Sequence, residues 1–274
     1  PDLISLPDIE SGFFFMHHNI EMLTRAAQLA QAAYDDTIPG AQKFENKRTS
    51  TTAFLIRNPQ KGEDWVVWRG TSDRRDWLFN FLLLFIPVKK AWIHLGFYLH
   101  QQGIWKDIRK ELNPANKTIF VGHSLAGACA EISAHLCREF RDLHLIALGK
   151  PNVFSRFKKC PMDHLHTFYS LVHASDLVAR IPRYGYRPSS GKNLRQLFFS
   201  NTGEDYINPP RELKLAEWSV AESVEDHMMT AYRQRITSFC NDCLKASLAA
   251  NGTEMKVAVD RRRKRNKKRK RKHG

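Results

Sequence analysis

The chain has 274 residues, of which 42% are hydrophobic and 11% aromatic, a composition that excludes wholesale disorder and is typical of a globular protein. Its formal net charge of +15 comes largely from residues 261–272, which contain eleven of the 43 Lys and Arg residues. Outside this segment the chain has 32 basic and 28 acidic residues. The charge of this larger part is nearly balanced and gives no reason to expect a nucleic-acid-binding surface.

The hydrophobic pattern predicts helices and strands in alternation. Strands are predicted over 52–56, 64–68, 118–121, 143–148, 166–172 and 197–200, and helices over 18–35, 97–112, 129–139 and 222–239. The segment Asn58-Pro59-Gln60-Lys61-Gly62 is predicted as the turn between the first two strands. This alternation predicts an α/β fold with a predominantly parallel central sheet and helices on both faces. We expect one such domain over 18–245, after a lead-in of residues 1–17 and before a basic tail of residues 246–274.

Residues 118–128 hold the most informative motif. A predicted strand ends in Gly122-His123-Ser124-Leu125-Ala126, a turn of small residues with a serine at its centre. A strand, a sharp turn and a helix are the context of a nucleophile elbow, which projects the serine hydroxyl from the sheet beside helix N–H groups. Ala126 stands where a second glycine is usual, and its small side chain is compatible with close packing. Ser124 is the predicted nucleophile.

The serine needs a base to take its proton and a carboxylate to orient that base. With a nucleophile elbow these follow in the order acid, then histidine. Asp176 comes just after the predicted strand 166–172, at the edge of the sheet that carries the elbow. The alternative for Asp176 is a helix cap or turn. Asp163 is the other candidate acid, but it precedes the strand and is expected at the opposite edge.

The predicted base is His227, at the start of the last predicted helix. Of the histidines after the predicted acid, it alone lies in the expected folded domain, because His273 belongs to the charged tail; a surface histidine is the alternative. Two donors are expected to hold the oxyanion. One is the backbone N–H of Leu125 and the other is Thr71, in a loop after an earlier strand, through its N–H and hydroxyl.

Seven segments resemble, in order, the class 3, fungal-type lipase family of the α/β-hydrolases. They are Ala32-Ala33-Tyr34, 66–71 with Asp76-Trp77, 93–97, 122–125, 149–153, 176–178 with Ile181-Pro182, and Asp226-His227 with Tyr232. The resemblance implies an α/β-hydrolase fold and hydrolysis of acyl esters of lipids without a metal or organic cofactor. It places the nucleophile, acid and base at Ser124, Asp176 and His227 and an oxyanion donor at Thr71. Arg180 and Arg183 depart from the pattern, which leaves the position of the acid loop open.

The segment 78–88 is apolar at every position but one. It follows the oxyanion segment, where the resembled family carries a lid, and we predict a lid over about 72–92; a buried core segment is the alternative. Once exposed, such a segment inserts into the surface of a membrane or lipid droplet. The predicted lipid-contact residues are Trp77, Leu78, Phe79, Phe81, Leu82, Leu83, Leu84, Phe85 and Ile86, with Lys89 and Lys90 near anionic headgroups.

The basic segment 261–272 combines like charges with nothing apolar to bury, so it is not expected to fold by itself. Three partners stay open for it: an import receptor for the nucleus, anionic lipid, and nucleic acid. The five cysteines are not spaced as a disulfide framework, which favours a reducing compartment. An intracellular location is therefore favoured, cytoplasmic, membrane-associated or nuclear. Residues 1–15 lack a secretory signal, but the chain begins with Pro1, so secretion stays open.

The predicted reaction is hydrolysis of carboxylic esters through an acyl-serine intermediate. Acylglycerols are the first expected substrate class, phospholipids the second, and soluble aryl or feruloyl esters the third. The alternative is a lipase-like protein that binds or signals without turnover and is targeted by its basic tail. The sequence leaves acyl-chain preference, positional specificity and oligomeric state open.

Overall fold

The structure is a computed structural model. It describes residues 9–70, 84–155, 162–173, 176, 178–181, 186–187, 190, 192–199, 205–207 and 227–245. These residues form two compact units. One lies within Arg25–Arg235, and the other consists of the described parts of Pro1–Thr24 and Ile236–Gly274. All residues of the candidate site discussed below belong to the first unit.

The described residues form four α-helices, twelve strands and two short 3-10 helices. The α-helices are α1 (Ile9–Tyr34), α2 (Leu95–Glu111), α3 (Leu125–Leu136) and α4 (229–245). The strands are β1 (Gln42–Asn46), β2 (Thr51–Asn58), β3 (Glu63–Arg69), β4 (Phe85–Val88), β5 (Ala91–His94), β6 (Lys117–His123), β7 (Asp142–Leu148), β8 (Phe154–Ser155), β9 (Thr167–His173), β10 (Tyr186–Arg187), β11 (Leu194–Phe199) and β12 (Asp205–Ile207). Short 3-10 helices lie at Pro59–Lys61 and Val178–Arg180.

Eight strands form the central sheet in the order β1-β2-β3-β6-β7-β9-β11-β12. The five strands from β3 to β11 are parallel, and the pairs β1–β2, β2–β3 and β11–β12 are antiparallel. Strands β6, β7 and β9 are buried along almost their whole length, as expected for parallel strands covered on both faces. The predicted α/β-hydrolase fold, with its mostly parallel sheet, is confirmed.

The helix after the elbow lies in the middle of this fold. Every residue of α3 is buried, and its small side chains allow it to pack closely on the sheet beside β6 and β7. The helix begins at Leu125, directly after the serine, four residues earlier than the predicted start. None of the described helices combines the length and the hydropathy that a membrane crossing requires.

Several strands were missed by the pattern because they are short or polar. Strand β1 reads Gln-Lys-Phe-Glu-Asn and is largely exposed at the edge of the sheet, so it lacks the alternation that marks a half-buried strand. Strands β10, β8, β5 and β4 form a second, four-stranded sheet. The last helix is described from residue 229 rather than 222, and residues 222–226 lie outside the described residues.

The predicted lid is described only from residue 84 onward. Phe85 and Ile86 lie in β4, paired antiparallel with β5, and are partly buried, whereas Leu84 is 50% exposed. The lead-in up to residue 8 and the basic tail lie outside the described residues. So do the other predicted lipid-contact residues, which are Trp77, Leu78, Phe79, Phe81, Leu82 and Leu83.

Candidate active site

Ser124 joins β6 to α3 in a strained backbone conformation. Its φ of 61° and ψ of −131° lie outside the regions that L-residues ordinarily occupy. Hydrogen bonds on both sides hold this turn. The Ser124 N–H donates to the carbonyl of Leu148 at 2.9 Å, and its carbonyl accepts from the N–H of Gly127 at 2.9 Å. The elbow geometry predicted from the sequence is therefore present.

Two glycines make the tight turn possible. A Cβ at Gly122 would lie 2.2 Å from the carbonyl oxygen of Ala126, and a Cβ at Gly127 would lie 2.7 Å from Cβ of Lys150. Ala126 itself is buried and keeps its methyl group. The close approaches thus fall at positions 122 and 127, and alanine in place of the usual glycine at 126 is accommodated.

The three residues selected from chain order lie within hydrogen-bonding distance of one another. His227 Nε2 is 2.8 Å from Ser124 Oγ, and His227 Nδ1 is 2.9 Å from both carboxylate oxygens of Asp176. All three side chains are buried. In the neutral tautomer that fits these contacts, Nδ1–H donates to the carboxylate and Nε2 accepts the serine proton. The imidazole is thereby oriented between an acid and a hydroxyl.

Asp176 is both a cap and a member of this site. Its Oδ1 accepts from the N–H groups of Val178 at 2.8 Å and Ala179 at 3.2 Å, which caps the short 3-10 helix. Its Oδ2 accepts from the hydroxyl of Tyr232 at 2.6 Å. These donors stabilise the ionised carboxylate in a buried position. Asp163 lies before β9, as expected, and accepts from the N–H of Lys192 instead.

Gly149, at the end of β7, makes room for this acid. Its φ is +53°, and a Cβ there would lie 2.6 Å from Asp176 Oδ2 and 2.9 Å from the hydroxyl of Tyr232. The Tyr232 hydroxyl also accepts from the N–H of His173 at 2.9 Å. The sequence placed Tyr232 in the histidine segment but gave it no contact with the acid, because nothing in its spacing indicates which way the phenol points.

The residue before the serine also reaches the site. The ring of His123 lies 4.9 Å from the ring of His227, and His123 Nδ1 is 2.8 Å from the hydroxyl of Tyr34 at the end of α1. Tyr34 in turn lies against Gly70, where a Cβ would come within 1.9 Å of its hydroxyl oxygen. Nothing in the sequence pattern indicates this contact between the elbow and α1.

The predicted oxyanion donors come from neighbouring elements. Leu125 begins α3, so its N–H belongs to the free N-terminal end of the helix, where negative charge is stabilised. Strand β3 is paired with β6, with Trp68 opposite Gly122, so the chain leaves β3 beside the elbow. Thr71, two residues after the end of β3, lies outside the described residues.

Comparison with known proteins gives a family match for part of the chain. Residues 65–185 match the family model described as lipase, class 3. The matched segment contains the elbow and Asp176, but it ends before His227. The histidine is therefore assigned to the site by the measured distances rather than by the family match.

The chain is similar to several fungal lipases. It is 28% identical over 156 residues to a protein of Fusarium solani called secreted mono- and diacylglycerol lipase 1, covering 52% of this chain and 47% of that protein. It is 29% identical over 156 residues to a lipase of Rhizopus niveus, covering 51% and 40%. The chain thus spans less than half the length of these curated relatives.

A solved structure shares the fold over a larger part of the chain. A deletion mutant of a Rhizomucor miehei lipase in complex with its propeptide has a TM-score of 0.62, at 18% identity, and the match covers 77% of each chain. At that identity the likeness concerns the fold alone.

Proposed function

We propose that this chain is a serine hydrolase that cleaves carboxylic esters of lipids through an acyl-serine intermediate. The observation that carries the proposal is the linked set of contacts from Asp176 through His227 to Ser124, at 2.9 Å and 2.8 Å. The names of the Fusarium and Rhizopus relatives, which are lipases, support the same reaction class.

In the first step, His227 Nε2 takes the proton of the Ser124 hydroxyl while the oxygen attacks the ester carbonyl. Asp176 keeps the imidazole in the productive tautomer and stabilises its positive charge. The negative oxygen of the tetrahedral intermediate is held by the N–H of Leu125 and, as we propose, by Thr71. His227 then gives its proton to the departing alcohol, which leaves an acyl group on Ser124.

In the second step, water replaces the alcohol. His227 takes a proton from water while the water oxygen attacks the acyl carbonyl. His227 then returns this proton to the Ser124 oxygen, and the carboxylic acid product leaves. Each proton lost from a nucleophile is returned to a leaving group, so the cycle needs no redox partner. The elbow places Ser124 directly before the N-terminal end of α3, so the nucleophile and the helix N–H groups are close to each other.

Acylglycerols are the proposed first substrate class, since one relative is named for mono- and diacylglycerols and the segment 78–88 is almost wholly apolar. Phospholipids come second and soluble aryl or feruloyl esters third. A panel of p-nitrophenyl butyrate, emulsified acylglycerols and phospholipid vesicles separates these classes. Preference for the soluble ester over the emulsion would contradict the lipid assignment.

A fluorophosphonate probe tests the reaction class directly, because an activated serine reacts with it much faster than an ordinary hydroxyl does. We expect labelling of the folded chain and its loss in Ser124→Ala. An unlabelled but folded chain would favour a lipase-like protein that binds without turnover. Labelling that persists in Ser124→Ala would show that another residue reacts with the probe.

The apolar segment and the basic tail are proposed to act on location rather than on chemistry. We propose peripheral contact with a membrane or lipid-droplet surface through 78–86, and targeting through 261–272 to anionic lipid or to the nucleus. A chain that ends at residue 260 should hydrolyse p-nitrophenyl butyrate within about twofold of the full chain, since distant surface changes have small effects. Loss of hydrolysis on that truncation would contradict an accessory role.

A further inference from the structure

A buried ion pair lies beside the nucleophile elbow and takes no part in the proposed reaction. Lys150 Nζ is 2.9 Å from Glu131 Oε2, and the two side chains are 4% and 0% exposed. In the other Lys–carboxylate and Arg–carboxylate pairs of the described residues, each side chain keeps at least 13% of its surface exposed. Burying two charges removes hydration that their attraction often fails to replace. Stability alone therefore gives little reason for this pair.

Glu131 depends on Lys150 for charge compensation. It lies in α3, all of whose residues are buried, and neither of its carboxylate oxygens has a hydrogen-bond partner among the described residues. The Lys150 ammonium, 2.9 Å from Oε2, is its charge partner, and this ammonium donates to the carbonyl of Pro151 at 3.4 Å. The ion pair thus ties the elbow helix to the segment that follows β7.

Close backbone packing reinforces this tie. Gly127 lies one turn before Glu131, on the same face of α3. A Cβ at Gly127 would come within 2.7 Å of Cβ and 3.5 Å of Cα of Lys150. The backbone and Cβ of Lys150 therefore lie against the first turn of α3, and its ammonium lies beside the next turn, which carries Glu131.

The residues around this lysine, 149–152, form what we call the clamp segment. At one end, Gly149 lies against Asp176, where a Cβ would be 2.6 Å from Oδ2. At the other end, the N–H of Asn152 donates to the carbonyl of Ile181 at 2.9 Å, and its side-chain amide donates to the carbonyl of Arg180 at 3.5 Å. The clamp segment therefore holds the loop that carries the acid.

The same segment begins directly after the strand that supports the serine. Leu148 precedes it and accepts the hydrogen bond from the Ser124 N–H. A shift of the clamp segment along α3 would change the position of Asp176 and His227 relative to Ser124. Effects of this kind are large, since a displacement of about 1 Å far from the reacting atoms is able to lower a rate about 10²-fold.

We propose that Glu131 and Lys150 are positioning residues of the Ser124 site. Their ion pair fixes the clamp segment on α3 and thereby sets the distance from the Asp176–His227 pair to the Ser124 hydroxyl. The inference rests on the proposed function, because it is measured through reaction at Ser124.

The test removes both charges together, so that neither is left buried without a partner. The double variant Glu131→Leu with Lys150→Met is compared with the unaltered chain by its labelling rate with a fluorophosphonate, by kcat and KM for p-nitrophenyl butyrate, and by its melting temperature. We expect labelling and kcat to fall about 10- to 100-fold, with KM nearly unchanged. A purely structural pair would change the melting temperature and leave the rates of the folded protein intact.

The matched control neutralises an exposed ion pair. Arg57 and Glu111 lie 2.6 Å apart with both side chains well exposed, and Arg57→Met with Glu111→Leu should keep both rates within about twofold. A folded Glu131→Leu, Lys150→Met protein that reacts at the unaltered rate would overturn the proposal.

A milder variant covers the case in which the double variant does not fold. Glu131→Gln keeps the shape of the side chain and removes its charge; it should label several-fold more slowly with unchanged KM, and a folded Gln variant with the unaltered rate would overturn the proposal. If the unaltered folded chain is not labelled at all, the proposed function fails first, and the positioning role fails with it.

Discussion

Two acid–imidazole–hydroxyl triplets lie at opposite edges of the same sheet. The Ser124 triplet consists of Asp176, His227 and Ser124 at the carboxyl edge. The second, which we call the Thr167 triplet, lies at the amino edge. There Asp142 Oδ1 is 2.7 Å from His144 Nε2, and His144 Nδ1 is 2.5 Å from Thr167 Oγ1. In both triplets an imidazole lies between a carboxylate and a hydroxyl. The ring nitrogens have exchanged partners, since Nδ1 faces the carboxylate in His227 and Nε2 faces it in His144. The Asp142 side chain is 41% exposed, whereas that of Asp176 is fully buried.

Their backbones differ. Thr167 is the first residue of β9 and pairs with His144 in the sheet, so its hydroxyl belongs to a regular strand. Ser124 has a φ of 61° and stands at the start of α3, where helix N–H groups are free to stabilise an oxyanion. A hydrogen-bonded triplet is therefore a candidate for nucleophilic catalysis only when the turn that carries its hydroxyl also places it beside donors for an oxyanion.

The largest expected effect separates the two hydroxyls. Ser124→Ala should lower ester hydrolysis about 10⁵-fold or more, because it removes the nucleophile. Thr167→Val should leave hydrolysis within about twofold and cost about 1 kcal/mol of stability through its lost hydrogen bond. Initial rates on p-nitrophenyl butyrate and urea unfolding check both. Equal losses of activity in the two variants would contradict the contrast.

The second effect separates the two carboxylates. Asp176→Asn should lower kcat about 10⁴-fold, because an amide stabilises the wrong tautomer of the base. Asp142→Asn alters the same kind of carboxylate–imidazole contact. It should change kcat by no more than about twofold, because Asp142 lies at the opposite edge of the sheet from the reacting atoms. A fall in kcat of similar size in both would mean that the amino edge takes part in the reaction.

The third effect tests how closely Asp176 is held. Gly149→Ala adds a Cβ 2.6 Å from Asp176 Oδ2, so the acid must move, and we expect kcat to fall about 10- to 100-fold. Gly40→Ala is the matched control, because Gly40 has a φ of +72° with nothing within 4 Å of the added atom. It carries the same backbone strain, about 1–2 kcal/mol, without the clash.

Stability and kcat measured on both alanine variants distinguish strain from clash. If Gly40→Ala lowers kcat as much as Gly149→Ala does, general destabilisation explains the loss. If neither lowers it, the acid loop adapts to the added methyl group and the tight fit at Gly149 has no functional role.

The sequence predicts which residues meet in the Ser124 triplet, because the motif and the chain order restrict the candidates; their catalytic roles stay a prediction. The elbow needs small residues around a serine, and the order of acid and histidine along the chain left few candidates. The two interpretations of Asp176, as a helix cap and as the acid, are compatible. Its Oδ1 accepts hydrogen bonds from the N–H groups of Val178 and Ala179. Both carboxylate oxygens also lie within hydrogen-bonding distance of His227 Nδ1. A sequence pattern presents such roles as alternatives although a carboxylate has lone pairs for both.

The remaining contacts depend on side-chain directions that a sequence does not specify. The sequence places Lys150 in one of the family-like segments and Glu131 in a predicted helix, and neither placement indicates that their side chains meet in the interior. The Thr167 triplet was also missed, because a histidine two residues after an aspartate is a common surface pattern. Strand β1 was not predicted for a different reason, because its exposed polar residues carry no hydrophobic signal.

The smallest expected effect concerns stability at the amino edge. Burial lowers the pKa of His144 from 6.5 to about 4, against the opposing charge of Asp142. Between pH 6.5 and 4 the unfolded chain binds a proton that the folded protein does not. The contribution of neutral His144 is therefore complete above pH 6.5 and is lost as the pH falls, by up to about 1.4 kcal/mol per pH unit. Below about pH 4 both states are protonated and the loss ends.

His144→Gln isolates this contribution, because the other buried histidines with a pKa of about 4, such as His94 and His135, titrate in both proteins. Urea unfolding at pH 7.5, 6 and 5 should show the variant less stable at pH 7.5, since it loses part of the contact with Thr167 and Asp142. The difference should shrink towards pH 5, where the unaltered protein alone carries the cost of keeping this imidazole neutral. A difference that stays constant over this range would mean that His144 titrates normally in the fold and that its burial does not favour the neutral imidazole.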